Sequence, residues 1–411
     1  MRITIVNWSS RKIGGSEDYL GNLIPELHAR GHQVSFAYEV AIPADREPIE
    51  LPPDAPDWDA SRMGEAAVFE AIREWKPDLI YAHGRLSNAF EQGYLGIAPA
   101  IYFSHNYYGA CISGLKTNKF PVIQPCSRKF GAACLLHYLP RNCGGRSPIT
   151  MFKLYAEEKH RLKNLHRYDG IVTHSSHMRN EYLREGLPPE RVHNFQYEVH
   201  QAEQGVIPET LRLTHGVRRL LYVGRMERLK GGVTLLQALP EAARRLACPL
   251  ELSLLGDGPD RRLWEQLAQK ISGRNPAISI RFEGWTSKTG LRKYYRSSDL
   301  LVVPSLWPEP FGRIGPEAGS NGLPAAAFAV GGVTDWLING VNGFLAPGTP
   351  PTAAGLTDAI VSCLRDPLAH RKLRVGARNI AAQFTMENHM TALTRIFESV
   401  TDAERFRAVS A

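Results

Sequence analysis

Several features that mark whole classes of protein are missing from this chain of 411 residues. No run reaches the ~18 consecutive apolar residues that a membrane-spanning helix needs. The first residues, MRITIVNWSS, read as a short strand and lack the apolar region and small-residue cleavage site of a signal peptide. Only six cysteines are present, which is typical of a reducing compartment, so we expect a cytoplasmic protein.

Acidic residues are missing from one long stretch. Residues 92–156 contain no Asp or Glu, and residues 111–179 hold 12 Lys and Arg against 3 acids. The net charge of +8 is modest for the length, and a dedicated nucleic-acid binder usually concentrates more positive charge, so we expect no nucleic-acid partner. A stretch of one sign attracts phosphates or acidic lipid headgroups, so peripheral contact with the inner face of a membrane fits the sequence, as does a plain solvated surface.

The chain alternates between strand-like runs and helix-like segments, which is typical of parallel α/β architecture. Two sets of these β-α units are separated by residues 200–217, whose apolar residues follow no regular spacing. We therefore predict one domain of residues 1–205 and another of residues 206–385. Residues 386–411 are predicted as a helix that packs back on the first domain. The predicted strands lie at residues 2–8, 33–39, 78–84, 100–106, 170–176, 218–225, 250–256, 278–284, 299–305 and 323–329. Helices are predicted at residues 16–30, 233–247, 260–272, 288–297, 315–321 and 353–365.

The first glycine-rich turn lacks the full signature of a dinucleotide cofactor. Gly14 and Gly15 lie between the first strand and the first helix, where glycine lets backbone approach a ligand and the helix start favours an anion. A simple tight turn would use the same pair. The third glycine of the dinucleotide fingerprint is missing, which argues against a nicotinamide oxidoreductase. We also predict chemistry that needs no metal ion, because two basic side chains, Arg225 and Lys230, can supply the positive charge that a metal ion would otherwise bring.

The most informative stretch is VVPSLWPEPFGRIGPEAGSNGLP, which carries Glu309 and Glu317. A carboxylate at position 309, in a Pro-rich loop, can accept hydrogen bonds from sugar hydroxyls. Glu317, in the first turn of the next helix, can hold a ribose diol, although a lone acid there also serves simply to stabilise the helix dipole. Arg225 and Lys230, in VGRMERLKGG, lie at a strand end and a helix start, where two cations can neutralise a departing diphosphate. An ordinary basic helix start is the alternative.

These motifs together resemble the retaining glycosyltransferases of family 4, which have the GT-B fold. The resemblance rests on EPFGRIGPEAGSNGLP, VGGVTDWLINGVNGFL, YVGRMERLKGG and IGGSEDYLGNLIPELHARGHQV, and it covers most of residues 1–35 and 218–400. It implies two Rossmann-like β/α/β domains that face each other across a deep cleft. It also implies a nucleotide-diphosphate-sugar donor, UDP- or GDP-linked, whose sugar is transferred with retention at the anomeric carbon.

The resemblance also assigns residues. Arg225 and Lys230 would bind the donor diphosphate, and Glu309 the transferred sugar. His105, after a strand end, would lie near that sugar, with His83 a similar but weaker candidate; a buried structural histidine is the alternative for each. The remaining predicted donor-binding positions are Glu317, Gly14, Gly15, Gly224, Phe311, Gly312, Arg313 and Ile314. In the loop of residues 311–314 the backbone N–H groups would make the contacts.

Four of the six cysteines lie within residues 106–150, which we predict to be an ordered, basic insertion on the acceptor side. Cys111, Cys126, Cys134 and Cys143 could hold a structural zinc ion. Their spacing is not that of common zinc modules, so four unrelated thiols remain the alternative. No cofactor is expected for catalysis itself.

The sequence thus predicts a metal-independent hexosyltransferase that transfers a sugar to a hydroxyl acceptor, in cell-surface glycan synthesis. The acceptor class stays open between a glycan, a lipid-linked molecule and a small molecule. Other GT-B-shaped enzymes, such as a sugar-nucleotide epimerase or a phosphorylase, remain alternatives, as does a non-catalytic glycan- or nucleotide-binding protein. The oligomeric state is not predicted.

Overall fold

The structure is a computed structural model that describes residues 1–40, 46–195, 198–199 and 216–410. The chain divides into two compact units. The first comprises Met1–Leu115, Arg128–Phe195 and Met390–Ala411, and the second comprises Lys116–Ser127 and Gln196–His389. The predicted boundary at residues 205 and 206 lies outside the described residues.

Nine strands lie in the first half of the described chain. They are β1 (Arg2–Ser9), β2 (Gln33–Val40), β3 (Asp57–Asp59), β4 (Leu79–His83), β5 (Ala100–Phe103), β6 (Thr117–Asn118), β7 (Gln124–Pro125), β8 (Gly170–Thr173) and β9 (Val192–Asn194). Seven of them form the parallel sheet of the first unit, in the order β3-β2-β1-β4-β5-β8-β9, and β6 pairs antiparallel with β7. The helices of the first half of the chain are α1 (Gly15–Ala29), α2 (Ala60–Met63), α3 (Glu65–Trp75), α4 (Asn88–Tyr94), α5 (Ala133–Tyr138), α6 (Pro148–Leu165) and α7 (Ser176–Arg184).

The sheet of the second unit has the order β12-β11-β10-β13-β14-β15 and is parallel throughout the described strands. Its strands are β10 (Arg218–Val223), β11 (Leu250–Leu255), β12 (Ile278–Gly284), β13 (Leu300–Val303), β14 (Ala325–Phe328) and β15 (Gly343–Ala346). The helices of the second half are α8 (Gly232–Leu246), α9 (Arg261–Arg274), α10 (Lys288–Ser297), α11 (Ile314–Ser320), α12 (Ala353–Leu364), α13 (Pro367–Ala381) and α14 (Met386–Ser410).

Burial explains why these runs form central strands. Every residue of β4, β5 and β8 is buried, and so is every residue of β13 and β14, as expected for strands covered by helices on both faces. The edge strand β12 alternates between buried or half-buried and exposed positions instead. In both sheets the strand order reverses beside the first strand of the unit, next to β1 in one and β10 in the other. The predicted pair of Rossmann-like parallel sheets is confirmed, and ligands of such sheets bind at the carboxyl ends beside the reversal.

The predicted insertion is divided between the two units. Residues Lys116–Ser127 cluster with the second unit, whereas the flanking parts belong to the first. In the first unit, α5 packs against α6 around a small apolar cluster of Ile112, Phe130, Tyr138, Cys143 and Met151.

Helix α6 is tied to the first unit through buried charges. Arg161 Nη1 lies 3.2 Å from Glu91 Oε1, and Arg161 Nη2 donates to the carbonyl oxygen of Leu86 at 2.6 Å. Glu158 accepts a hydrogen bond from Gly109 N at 2.6 Å. Burial raises the pKa of both carboxyl groups, and the nearby Arg161 opposes that shift. Separately, the Phe397 ring of α14 packs edge-on against Tyr81 of β4, with ring centroids 5.0 Å apart.

No helix within the described residues is long and apolar enough to cross a lipid bilayer.

Candidate functional site

The loops that follow β10 and β13 begin at the same edge of the second sheet, because these neighbouring strands are parallel. The first loop contains Gly224, Arg225 and Lys230, and the second contains Glu309. Residues that are far apart in the sequence are thus brought to the edge where the strand order reverses. We call this the ligand edge of the second sheet.

Lys230 and Glu309 form an ion pair at this edge. Lys230 Nζ lies 2.7 Å from Glu309 Oε1 and 5.4 Å from the centre of the Trp307 ring. The same oxygen also accepts hydrogen bonds from Trp307 Nε1, at 3.0 Å, and from Ser305 Oγ. The Glu309 carboxylate is buried, and all three donors converge on one of its two oxygens. This arrangement fixes the carboxylate and holds the ammonium of Lys230, which is a quarter exposed, at a defined point.

Glycines lock the backbone around Glu309. Gly331 has a positive φ of 55°, and a Cβ added there would lie 2.2 Å from the carbonyl oxygen of Glu309. Gly332 N donates to that same carbonyl oxygen at 2.7 Å. Gly231 is similar, because a Cβ there would lie 1.8 Å from the carbonyl oxygen of Pro304. Glycine is therefore required at positions 231 and 331, because a Cβ at either one would collide with a backbone carbonyl oxygen.

The loop of residues 311–314 leads from Glu309 to the start of helix α11. Phe311 is buried and packs edge-on against Phe384, and its carbonyl oxygen accepts a hydrogen bond from Trp336 Nε1 at 2.8 Å. Gly312 has a φ of 84°, and Ile314 is the first residue of α11. The Phe311 ring is thus taken up by packing inside the protein, and contact between a ligand and the backbone N–H groups of this loop stays a prediction.

Glu317 lies in the first turn of α11 and has protein partners. Arg313 Nη2 lies 3.6 Å from Glu317 Oε1, and the Tyr295 hydroxyl donates to Oε2 at 3.4 Å. Burial and then the nearby Glu317 raise the pKa of Tyr295 well above its usual value, so this hydroxyl stays a donor. The Glu317 carboxylate is thus oriented, and it is partly exposed.

Arg225 extends outward at the end of β10. Its side chain is 69% exposed, and Nε lies 3.7 Å from Glu227 Oε2. Its carbonyl oxygen accepts a hydrogen bond from the buried Tyr222 hydroxyl at 2.9 Å, which holds the turn at Gly224. Arg225 is therefore a long, exposed cation on an ordered backbone, in contrast to the paired Lys230.

Three histidines meet at the corresponding edge of the first sheet. His83 ends β4, His105 follows β5 and His174 follows β8, and these three strands are neighbours. His83 Nδ1 lies 3.1 Å from His105 Nε2, and His105 Nδ1 lies 3.3 Å from His174 Nε2. Both ring nitrogens of His105 are therefore engaged by other histidines. The expectation that this ring donates a hydrogen bond to a sugar hydroxyl requires one of these contacts to open.

The environment of this histidine chain keeps it uncharged at its inner end. His83 is fully buried among the rings of Tyr19, Tyr81 and Phe103. Burial, and then the neighbouring His105, lower the pKa of His83 well below its usual value. A neutral imidazole donates through one nitrogen and accepts through the other, so the chain is directional and orients the half-exposed His105 ring.

Gly14 and Gly15 form an open start to α1. Gly14 has an extended backbone, and its N–H donates to Glu17 Oε2 at 2.9 Å, as in a capping box. Among the described residues, a Cβ added to Gly14 would meet that carboxylate at 3.7 Å, and one added to Gly15 would have no atom within 4 Å. No contact within this described part of the chain requires glycine at the two positions, so a ligand could approach the backbone there.

The predicted zinc site is not formed in this structure. Cys111 Sγ lies 3.6 Å from Ser113 Oγ, Cys134 Sγ lies 4.0 Å from the Lys129 carbonyl oxygen and Cys143 Sγ lies 3.8 Å from the His137 carbonyl oxygen. Cys126 belongs to the segment Lys116–Ser127, which clusters with the other unit. Within the described residues, no three His, Cys, Asp or Glu side chains are arranged to hold a metal ion. The thiols are instead taken up by packing and by contacts with nearby oxygens.

Comparison with protein families matches both halves of the chain. Residues 13–194 match the family described as Glycosyltransferase Family 4, and residues 217–366 match Glycosyl transferases group 1. A glycogen synthase of Mycobacterium tuberculosis is 25% identical over 98% of this chain and 96% of its own length. A D-inositol 3-phosphate glycosyltransferase of Catenulispora acidiphila is 32% identical over 54% of this chain and 55% of its own length.

Solved structures match the whole fold. HepE of Anabaena, determined with UDP and glucose, has a TM-score of 0.62 and 18% identity, covering 98% of this chain and 99% of that one. Sucrose-phosphate synthase of Thermosynechococcus elongatus has a TM-score of 0.65 and 20% identity over the full length of both chains. At these identities the likeness shows the fold, which is GT-B.

Proposed function

We propose that this chain, a glycosyltransferase with the GT-B fold, moves a hexose from a nucleotide-diphosphate-sugar donor to a hydroxyl acceptor and retains the anomeric configuration. The observation that carries the proposal is the Lys230–Glu309 pair at the ligand edge of the second sheet. An ammonium and a carboxylate held together there suit a donor whose diphosphate is anionic and whose sugar offers hydroxyl groups. HepE, a relative in fold, was determined with UDP and with UDP-glucose, which supports a UDP-linked donor.

The proposed roles follow from the geometry of each side chain. Lys230 neutralises charge on the departing diphosphate, and Arg225, whose side chain is 69% exposed, adds a second positive charge. Glu309 accepts from the sugar hydroxyls through the oxygen that the three protein donors leave unused. Glu317, oriented by Arg313 and Tyr295, holds the ribose diol.

The proposed reaction proceeds on one face of the sugar. The bond from the anomeric carbon to the diphosphate oxygen breaks, the acceptor oxygen bonds to that carbon, and the acceptor proton passes to the departing phosphate. No metal ion is needed in this scheme, because Lys230 and Arg225 supply the positive charge. His105 orients the sugar, and the open start of α1 at Gly14 and Gly15 accommodates diphosphate or acceptor without a Cβ in the way.

The acceptor class is proposed from charge. In the first unit, residues 128–156 contain five Lys and Arg and no acid, which suits a lipid-linked or polyanionic acceptor and therefore a role in cell-surface glycan synthesis.

The test is to incubate the purified protein in excess EDTA with UDP- and GDP-sugars, with and without a panel of acceptors, and to follow the anomeric signals by NMR. We expect donor consumption that depends on acceptor and yields a product with the donor's anomeric configuration. Conversion of donor to another sugar nucleotide without acceptor would identify an epimerase. An inverted product, or activity restored only by Mg²⁺ or Mn²⁺, would overturn retention or metal independence.

A further inference from the structure

Four large apolar side chains are exposed on two neighbouring helices of the first unit. Leu136 on α5 is 76% exposed, and Leu139 directly follows that helix with 43% exposed. Ile149 and Phe152, in the first turns of α6, are 81% and 59% exposed. We call this surface, together with the exposed side of α6 that continues from it, the α5–α6 outer face.

These side chains are not surplus core residues. The inner sides of α5 and α6 already fill the cluster around Tyr138 and Met151, against which Leu135, Leu154 and Tyr155 also pack. Single exposed apolar residues are ordinary on protein surfaces, but several on one packed helix pair mark an interaction surface.

Helix α6 cannot rotate to bury Ile149 and Phe152. Its inner side is fixed by Arg161, whose guanidinium contacts Glu91 and the Leu86 carbonyl oxygen, and by Asn164, which donates to Glu91 Oε2 at 3.0 Å. Turning the helix would leave these buried charges without partners, which is strongly unfavourable. The outer face is therefore presented on a rigid support.

The exposed charges of this face have one sign. Lys153, Lys159 and Lys163 are exposed on α6, at positions that continue the side of the helix begun by Ile149 and Phe152. The acids of α6 do not balance them, because Glu158 is buried and Glu157 is half-buried. Glu157 lies 3.0 Å from Arg85 and 4.0 Å from Lys153. Residues 128–156, which form α5 and the start of α6, contain no acid at all.

We propose that the α5–α6 outer face docks on an anionic lipid bilayer. Ile149, Phe152, Leu136 and Leu139 enter the headgroup region, and the lysines of α6 bind lipid phosphates. Exposed apolar side chains followed along a helix by lysines suit an interface that is apolar in its depth and anionic at its surface. This proposal does not rest on the catalytic function, because it needs no substrate and no turnover.

The test is co-sedimentation of the full chain with vesicles of phosphatidylcholine alone and of phosphatidylcholine mixed with phosphatidylglycerol, at low and high salt. We expect binding to the mixed vesicles that weakens as salt rises. The variant Ile149→Ser/Phe152→Ser should lower the partition coefficient at least about tenfold, as should Lys153→Gln/Lys159→Gln/Lys163→Gln. The control is Leu368→Ser, which removes a 70% exposed leucine of α13 that also has exposed bases beside it, Arg365, Arg371 and Lys372. It should bind as the wild type does.

Three outcomes would overturn the proposal. One is no binding of the wild type to the mixed vesicles. Another is binding that the Leu368→Ser control lowers as much as the α6 variants do. The third is self-association, seen by light scattering without lipid, that Ile149→Ser/Phe152→Ser abolishes, since this would assign the face to a second copy of the chain. Circular dichroism of each variant separates these results from a failure to fold.

Discussion

The ligand edge of the second sheet and the corresponding edge of the first sheet carry different kinds of side chain, although the two sheets reverse their strand order in the same way. In the second sheet a charged pair, Lys230 and Glu309, is held by neighbouring donors and by glycines that no other residue could replace. In the first sheet the corresponding edge has a chain of uncharged rings centred on His105. Its glycines, at positions 14 and 15, have open space around them. The comparison teaches that one fold can supply fixed charge at one edge and open, weakly polar space at the other.

The largest expected effect is on the charged pair. Lys230→Met and Glu309→Gln should each lower the transfer rate at least ~100-fold, because each removes a group that meets charge or hydroxyls at the reacting centre. The measurement is kcat/KM in excess EDTA. The matched control is Arg244→Met, which removes an exposed ion pair with Glu241 in the same unit and should leave the rate within a factor of two or so. Activity of Lys230→Met within threefold of wild type would refute its assigned role.

The glycines of the two edges should respond differently to the same substitution. Gly331→Ala places a Cβ against the Glu309 carbonyl oxygen at a positive φ, so it should lower the free energy of unfolding by about 2 kcal/mol. Gly14→Ala meets no such contact and should leave stability nearly unchanged while lowering turnover. Chemical denaturation and steady-state kinetics of both variants check this. A stable Gly331→Ala, or a fully active Gly14→Ala, would remove the contrast.

The histidine chain should make the stability of the first unit depend on pH. Because burial lowers the pKa of His83, the unfolded chain takes up a proton first as pH falls below ~6.5. Stability present above that pH is therefore lost as pH falls towards the lower pKa of the folded state. Between about pH 7.5 and about pH 5.5, His83→Asn should reduce this loss by about 1 kcal/mol. Exposed His160→Asn should not, and equal pH profiles for His83→Asn and wild type would contradict the account.

Much of the fold could be predicted from apolar patterning. All ten predicted strands are present, because each carries apolar residues that the structure buries or, at alternate positions of the edge strand β12, half-buries. Strands β3, β6, β7, β9 and β15 were not predicted. Strands β6 and β7 have only two residues each, and β3 and β9 are three-residue edge strands with the sequences DWD and VHN. Strand β15, GFLA, follows a glycine-rich turn, so none of the five shows a clear hydrophobic period. Their pairing is imposed by neighbouring strands rather than by their own composition.

Site residues could be predicted where they lie within a recognisable sequence motif. They could not be predicted where their closeness depends on the order of strands in the sheet. Glu309 and Lys230 stand out in the sequence, but Ser305 and Trp307, which fix Glu309, do not. His174 was missed, although it follows a strand end as His83 and His105 do. That shared position becomes informative only once the strand order shows that β4, β5 and β8 are neighbours. For the cysteines, closeness in sequence was a poor guide to a metal site. Cys134 and Cys143 pack around one apolar cluster, but within the described residues no three His, Cys, Asp or Glu side chains are arranged to hold a metal ion.

The most direct test of the account is calorimetric titration of UDP and GDP into the wild type and Lys230→Met, both in excess EDTA. The account predicts that the wild type binds one of these nucleotides without metal and that Lys230→Met raises Kd at least about tenfold, or about 1.4 kcal/mol. Equal affinity of the two proteins, or binding by the wild type only after addition of a divalent cation, would contradict it.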